Sequence, residues 1–213
     1  MFRKTLVLFL VTGMVFPPVS TLAGPTVPGL RGGVPAAVPL PADTLPIPTD
    51  VNLRGVSSFT VDGAARKLTI QQDEPRAVIN WKSFDIGEQA WTHFDQKGNK
   101  DWAALNRIHD LNPSRIMGRL TADGRIYLIN QNGILFGPNS KVNVQSLTAA
   151  TLNSVDDDFL AGLNRFKHQD YMGAGADAVS SPSVVNEGSI KVDQLGSVFL
   201  LGQSVTNSGS VDA

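Results

Sequence analysis

Residues 183–190 read Ser-Val-Val-Asn-Glu-Gly-Ser-Ile and residues 204–211 read Ser-Val-Thr-Asn-Ser-Gly-Ser-Val, a displacement of 21 with five of eight positions identical. A period near 20 points to architectures that stack one short supersecondary unit per repeat. In a β-solenoid each strand pairs with its equivalent one coil later, about 4.8 Å along the axis. The repeat therefore predicts Val184 under Val205 and Ile190 under Val211 in the interior, with Asn186 under Asn207 at a bend. Stacked asparagines there can hydrogen-bond each other and satisfy amides that a tight bend buries. Two Asn-x-Gly turns recurring by chance in a β-sandwich are the competing reading.

The rest of the chain agrees with a mostly β fold. Short runs at 68–72, 77–81, 91–94, 125–130, 134–136, 141–144, 147–151, 190–192 and 198–201 are rich in β-branched residues and bounded by Gly, Asn and Asp. Helical periodicity is expected only at 102–108 and 157–166. A solenoid needs its last coil covered, so the bare copy reaching Ala213 reads as a coil that continues or is truncated.

The N-terminus is organised differently. Arg3 and Lys4 precede an apolar run over 5–16 and a small-residue site at Thr21-Leu22-Ala23, which reads as a signal peptide over 1–23. The run is shorter than the roughly 20 apolar residues a spanning helix needs. Seven prolines between 24 and 48 remove amide donors and fix φ, so this segment reads as an extended spacer, with the folded part expected over 49–213. The chain has no cysteine, so an exported product would fold on packing and backbone hydrogen bonds alone. Lys+Arg 18 against Asp+Glu 19 gives no charge imbalance that would favour nucleic acid or an anionic membrane.

Candidates for catalysis are sparse. His93, His109 and His168 are far apart and form no ligand pattern, so each reads as a surface or strand histidine and no metal or cofactor is expected. Asp156, Asp157 and Asp158 lack the alternating ligands of a calcium loop and read as a solvated loop or helix start. Gly173-Ala174-Gly175 opens like a dinucleotide loop but has no third glycine and no βαβ context. No Gly-x-Ser-x-Gly elbow occurs, and nothing pairs Asp123, Glu187 and Asp193. Trp81, Phe84, Trp91 and Phe94 are expected in the core.

Between Ala77 and Thr151 the motifs INWKSFDIGEQAWTHFDQ, ALNRI and SRIMGRLTADGRIYLINQNGILFGPNSKVNVQSLTAATL occur in order, followed by NEGSI and NSGSV. This succession resembles the N-terminal two-partner secretion domain of filamentous haemagglutinin-type exoproteins. The resemblance implies an all-β, right-handed parallel β-helix with an N-terminal cap and extra-helical strands. It also implies a nonenzymatic role: export into the periplasm, then recognition by POTRA modules of a TpsB-type outer-membrane β-barrel transporter, which passes the exoprotein to the surface of a Gram-negative bacterium. Passengers of such domains are adhesins, haemagglutinins, haemophore-like proteins or toxins. Host or bacterial cell-surface glycans or receptors are further implied partners. A carbohydrate-active β-helix enzyme and a stand-alone glycan-binding adhesin are the rival readings.

The family hallmark Asn-Pro-Asn-Gly-Ile reads here Asn130-Gln131-Asn132-Gly133-Ile134. Asn130, Gln131, Asn132 and Gly133, with Asn106 and Arg107 of ALNRI, are the positions the resemblance nominates for partner binding. Taken locally, Asn132-Gly133 between apolar runs signals a two-residue hairpin. The family pattern instead implies a type I turn over 130–133 that redirects the chain at a coil corner.

Overall fold

The computed structural model describes residues 5–10, 39–49, 53–167 and 182–213. His168 and the Gly173-Gly175 stretch lie outside the described residues. The chain forms a parallel β-solenoid whose coils pass through three faces.

Near the N-terminus, β1 (Thr5–Leu10) runs parallel to a late strand. The first coil is built from strands β2 (Ile47–Pro48), β3 (Val56–Asp62), β4 (Lys67–Gln72) and β5 (Arg76–Ser83). Strand β2 pairs antiparallel with β5, and β3 antiparallel with β4, so this end of the solenoid is capped by reversed strands. Order reaches back into the proline segment, since Ala42 O and Thr44 O accept hydrogen bonds from Gln89 N and Gly87 N at 2.8 and 2.9 Å.

Successive coils follow. Strands β6 (Trp91–Asp95), β7 (Ala103–Ile108) and β8 (Ser114–Ile116) form one. Strands β9 (Arg119–Ala122), β10 (Arg125–Ile129) and β11 (Ile134–Phe136) form the next. After β12 (Lys141–Val144) and β13 (Ser146–Ala150) the chain leaves the solenoid. The excursion contains β14 (Asn153–Ser154), the helix α1 (Asp156–Leu160) and β15 (Phe166–Lys167), which pairs antiparallel with β14. It rejoins at β16 (Ser183–Asn186), continues through β17 (Ser189–Val192) and β18 (Ser197–Gly202), and ends with β19 (Ser204–Asn207) and β20 (Ser210–Asp212).

Three sheets build the solenoid, and β14 and β15 make a separate two-stranded sheet among the described residues. Sheet A stacks β2, β5, β7, β10, β13, β18 and β1; sheet B stacks β3, β4, β6, β9, β12, β17 and β20; sheet C stacks β8, β11, β16 and β19. The repeat register is the one its spacing demands, with Val184 on Val205, Asn186 on Asn207 and Ile190 on Val211. Asn186 Nδ2 donates to Asn207 Oδ1 at 2.8 Å, which completes the amide ladder. A Cβ at the repeat glycine Gly209 would stand 2.1 Å from Gly188 O, so the stacked corners exclude any other residue there.

Alternation sorts the side chains of sheet A. Ala77, Ile79, Ala104, Ile126, Leu128, Leu147, Ala149, Val198 and Leu200 point into the main core, with Ile70, Phe94, Leu120, Val142 and Ile190 of sheet B opposite. Val78, Ala103, Leu105, Tyr127 and Ile129 point outward and form a second cluster with Phe159 of α1. Each fully buried Leu, Ile or Phe contributes roughly 1.5–3 kcal/mol of transfer free energy. Because both faces of β7 are buried, its residues show no strand alternation, and the helix expected over 102–108 is a strand. The helix expected over 157–166 is shorter and begins at Asp156, with all three aspartates in its first turn.

Trp81, Phe84 and Phe94 are core residues, and the Trp81 and Phe84 rings meet edge to face with centroids 5.0 Å apart. Trp91 is not: it sits at the first, outward position of β6, half-buried on the outer surface of sheet B.

Candidate functional site

The chain turns from sheet A to sheet C at residues 130–133, where Gly133 N donates to Asn130 O at 3.1 Å. Strands β10 and β11 lie in different sheets and do not pair, which rules out the hairpin and makes this a coil corner. Asn130 is fully buried. Its Nδ2 donates to Asn112 O at 3.1 Å and Ser114 Oγ at 3.0 Å, and its Oδ1 accepts from Asn132 N at 2.9 Å. Asn132 Nδ2 donates to Asp110 O at 2.7 Å. Gly133 has φ of +119°, a backbone that side chains with a Cβ rarely adopt, and its carbonyl accepts from Ser114 N at 3.0 Å. The corner is thus stitched to the coil beneath it.

Asn106 is equally internal. Its Oδ1 accepts from Trp81 Nε1 at 2.9 Å and its Nδ2 donates to Ala104 O at 3.2 Å and Tyr127 O at 3.1 Å, so it joins three successive coils inside sheet A. Arg107 points outward and reaches the excursion: it pairs with Asp156, donates to Ser154 O, and donates through Nε to Asn153 Oδ1 at 3.3 Å. Arg76 Nη1 donates to Phe159 O at 2.9 Å, and Arg54 pairs with Asp157 at 3.4 Å. Three arginines from sheet A's side thereby hold α1 over the second apolar cluster.

Two concavities flank the corner. On the sheet A side a cavity of about 220 Å³ is lined by Arg107, Ile108, His109, Ile129, Gln131 and Asn153, so it brings together two of the nominated residues. His109 Nε2 lies 2.9 Å from Asn80 Oδ1; its pKa falls below the ordinary histidine value because of burial first and the Arg107 guanidinium second. On the sheet C side a cleft of about 640 Å³ is lined by Pro113, Ile134, Leu135 and Val185, with Asp85, Asp110 and Arg115 on its rim. Arg115, Leu135 and Val185 stand in one register across three coils.

Of the nominated residues, Gln131, Asn132 and Arg107 retain surface, whereas Asn106, Asn130 and Gly133 are enclosed. Among the described residues no acceptor takes a hydrogen bond from Gln131 N. No group of three or more His, Asp or Glu could hold a metal among the described residues. Asp123 accepts instead from Gln96 N and Gly98 N at 2.9 and 3.1 Å, and Asp193 pairs with Lys100 at 2.8 Å.

One feature went unread in the sequence. Strand β3 pairs with β4 on one side and has no neighbour on the other among the described residues, so it forms one terminal edge of sheet B. Its Ser57, Ser58, Thr60, Val61 and Asp62 are exposed, Val61 at 62%. The turn at Gly63 was its available signal, separating the short run at 56–62 from the run at 67–72.

The family model described as TPS secretion domain matches residues 44–213. A heme/hemopexin-binding protein of Haemophilus influenzae is 34% identical over 160 residues, which span 74% of this chain and 17% of that protein. A second heme/hemopexin-binding protein from the same species is 44% identical over 87 residues, 41% of this chain and 9% of its own length. The crystal structure of the HMW1 secretion domain from Haemophilus influenzae superposes with a TM-score of 0.63 at 31% identity, covering 75% of this chain and 42% of that one. The chain therefore spans under a fifth of the length of the curated relatives it matches.

Proposed function

The chain belongs to the TPS secretion domain family, and from that premise we propose that residues 44–213 are the recognition head of a longer exoprotein, engaged by POTRA modules of a TpsB-type outer-membrane barrel. TPS exoproteins are secreted by Gram-negative bacteria. The head acts by binding, without catalysis, as the chain passes through the periplasm to the outer surface.

The observation that carries the docking mode is the open edge of β3. The outer edge of this seven-residue strand presents backbone donors and acceptors, which a partner strand can extend. Its exposed Ser, Thr and Val side chains suit strand addition, and no lysine or proline blunts it. We assign the corner at 130–133 a second role: Gln131 and Arg107 offer surface for contact, while Asn130, Asn132, Gly133 and Asn106 hold the coil that presents them.

Co-production of the chain with its cognate barrel tests the reading. Val61→Lys places a charge on the edge and should lower the secreted fraction about tenfold, the equivalent of ~1.4 kcal/mol of binding. Its unfolding free energy should stay within about 0.5 kcal/mol of the parent. Undiminished secretion of this variant would remove β3 as the docking edge.

A further inference from the structure

The outer surface of sheet B carries cations that no part of the fold or the secretion role uses. Register places Lys67, Trp91, Arg119 and Lys141 in one file on four consecutive coils. The next file outward reads Thr69, His93, Thr121, Asn143 and Lys191. Adjacent rungs are about 4.8 Å apart. The first file thus carries three cations along the solenoid axis, with Trp91 between the first two.

Two of the cations are held on the Trp91 ring. Lys67 Nζ lies 3.9 Å from the Trp91 ring centroid and the Arg119 guanidinium carbon 4.5 Å from it. Trp91 is in turn fixed by its Nε1, which donates to Thr121 Oγ1 at 2.7 Å, and His93 Nδ1 lies 2.9 Å from the same oxygen. Among the described residues no carboxylate lies within ion-pair distance of Lys67, Arg119, Lys141 or Lys191. Elsewhere Lys97 pairs with Asp73, Lys100 with Asp193 and Arg125 with Asp101, while Arg66, Lys82 and Lys167 have no ion pair among the described residues. Acidic groups border the stripe: Asp62 lies opposite Lys67, Asp212 stands in register with Lys191, and the charges of Asp123 and Asp95 reach His93, where they oppose the lowering of its pKa by burial.

A cation resting on an aromatic face loses little of its ability to donate hydrogen bonds, and its side chain is already ordered. From this arrangement we propose that the outer face of sheet B binds a linear acidic polysaccharide, its carboxylates or sulfates seated on Lys67, Arg119 and Lys141 with Thr121, Asn143 and His93 beside the sugar hydroxyls. The single-file geometry matches a chain laid along the axis. A lipid surface is disfavoured because the indole is flanked by charge and no exposed apolar side chain protrudes from these two files.

The test titrates the full chain at low salt with a heparin dodecasaccharide, a hyaluronan oligosaccharide of the same length and neutral dextran, using calorimetry. Saturable binding of either acidic oligosaccharide and none of dextran is expected. Arg119→Gln and Lys141→Gln should each weaken it about fivefold, as for an exposed ion pair, and raising the salt should abolish it. Lys97→Gln and Lys100→Gln, whose cations already pair with carboxylates, should leave affinity within about twofold. Circular dichroism verifies folding of each variant, and export with the partner barrel should be unchanged in Arg119→Gln/Lys141→Gln, which separates this site from the secretion role. Absence of binding to both acidic oligosaccharides, equal losses in the Lys97 and Lys100 variants, or tighter binding to phosphatidylglycerol vesicles or duplex DNA would each overturn the assignment.

Discussion

Asn130 shows how a residue nominated for recognition does its work inside. Its amide makes two donor bonds and one acceptor bond in a site closed to water. Asn130→Ala strands Asn112 O and Asn132 N, and should lower the unfolding free energy measured in urea by about 1–3 kcal/mol. Its neighbour Gln131 behaves oppositely. Its amide hydrogen has no acceptor among the described residues and it occupies the second turn position, so Gln131→Pro should raise stability by about 0.4–1 kcal/mol. The turn was legible from Asn-x-Asn-Gly, but burial of Asn130 was not, because its partners at 112 and 114 belong to the preceding coil. The histidines give a pH signature. Burial, the larger cause at both sites, lowers the folded-state pKa of His93 and His109 below the ordinary 6.5, so the unfolded chain binds more protons on acidification. Their contribution is complete above pH 6.5 and is lost as pH falls below it toward the folded-state values. The slope of stability against pH below that value should be shallower in His93→Gln/His109→Gln than in the parent.

At the scale of elements, some strands were readable from local composition and others were not. Strands β11 and β12 coincide with the sequence runs at 134–136 and 141–144. Strands β8 and β9 are three and four residues long with exposed or half-buried arginines, so local composition hides them; pairing with β11 and β12 defines them. Strand β7 was misread as helical because α1 covers its outer face. Phe159 packs on Tyr127 with ring centroids 5.2 Å apart, and Arg76 lies over the Phe159 ring. This makes α1 a lid on sheet A anchored by one aromatic and three arginines. Phe159→Ala should cost about 3–5 kcal/mol of local stability, seen as faster amide exchange through 153–167 with the solenoid interior unaffected. Arg107→Ala should loosen the same segment, since Asp156, Ser154 O and Asn153 each lose their bond to Arg107.

For the whole molecule, the 21-residue spacing and the order of motifs carried the architecture, since a parallel stack can be read wherever equivalent positions repeat. The reversed strands at the N-terminal end have no counterpart in any repeat, and their pairing was therefore invisible before the fold was seen. That end matters for the proposed docking, because β3 is a terminal strand of sheet B with one edge unpaired among the described residues. The other surfaces have assigned work: sheet A outward is covered by α1, sheet C outward forms the cleft beside the corner, and sheet B outward carries the cation file. On the proposed reading, partner recognition proceeds by strand addition on β3. Amide hydrogen exchange of the chain, with and without the POTRA modules of its partner barrel, reads this directly. New protection confined to Val56–Asp62 and the adjoining β4 is the predicted result; protection at 130–133 with none in β3 would contradict it.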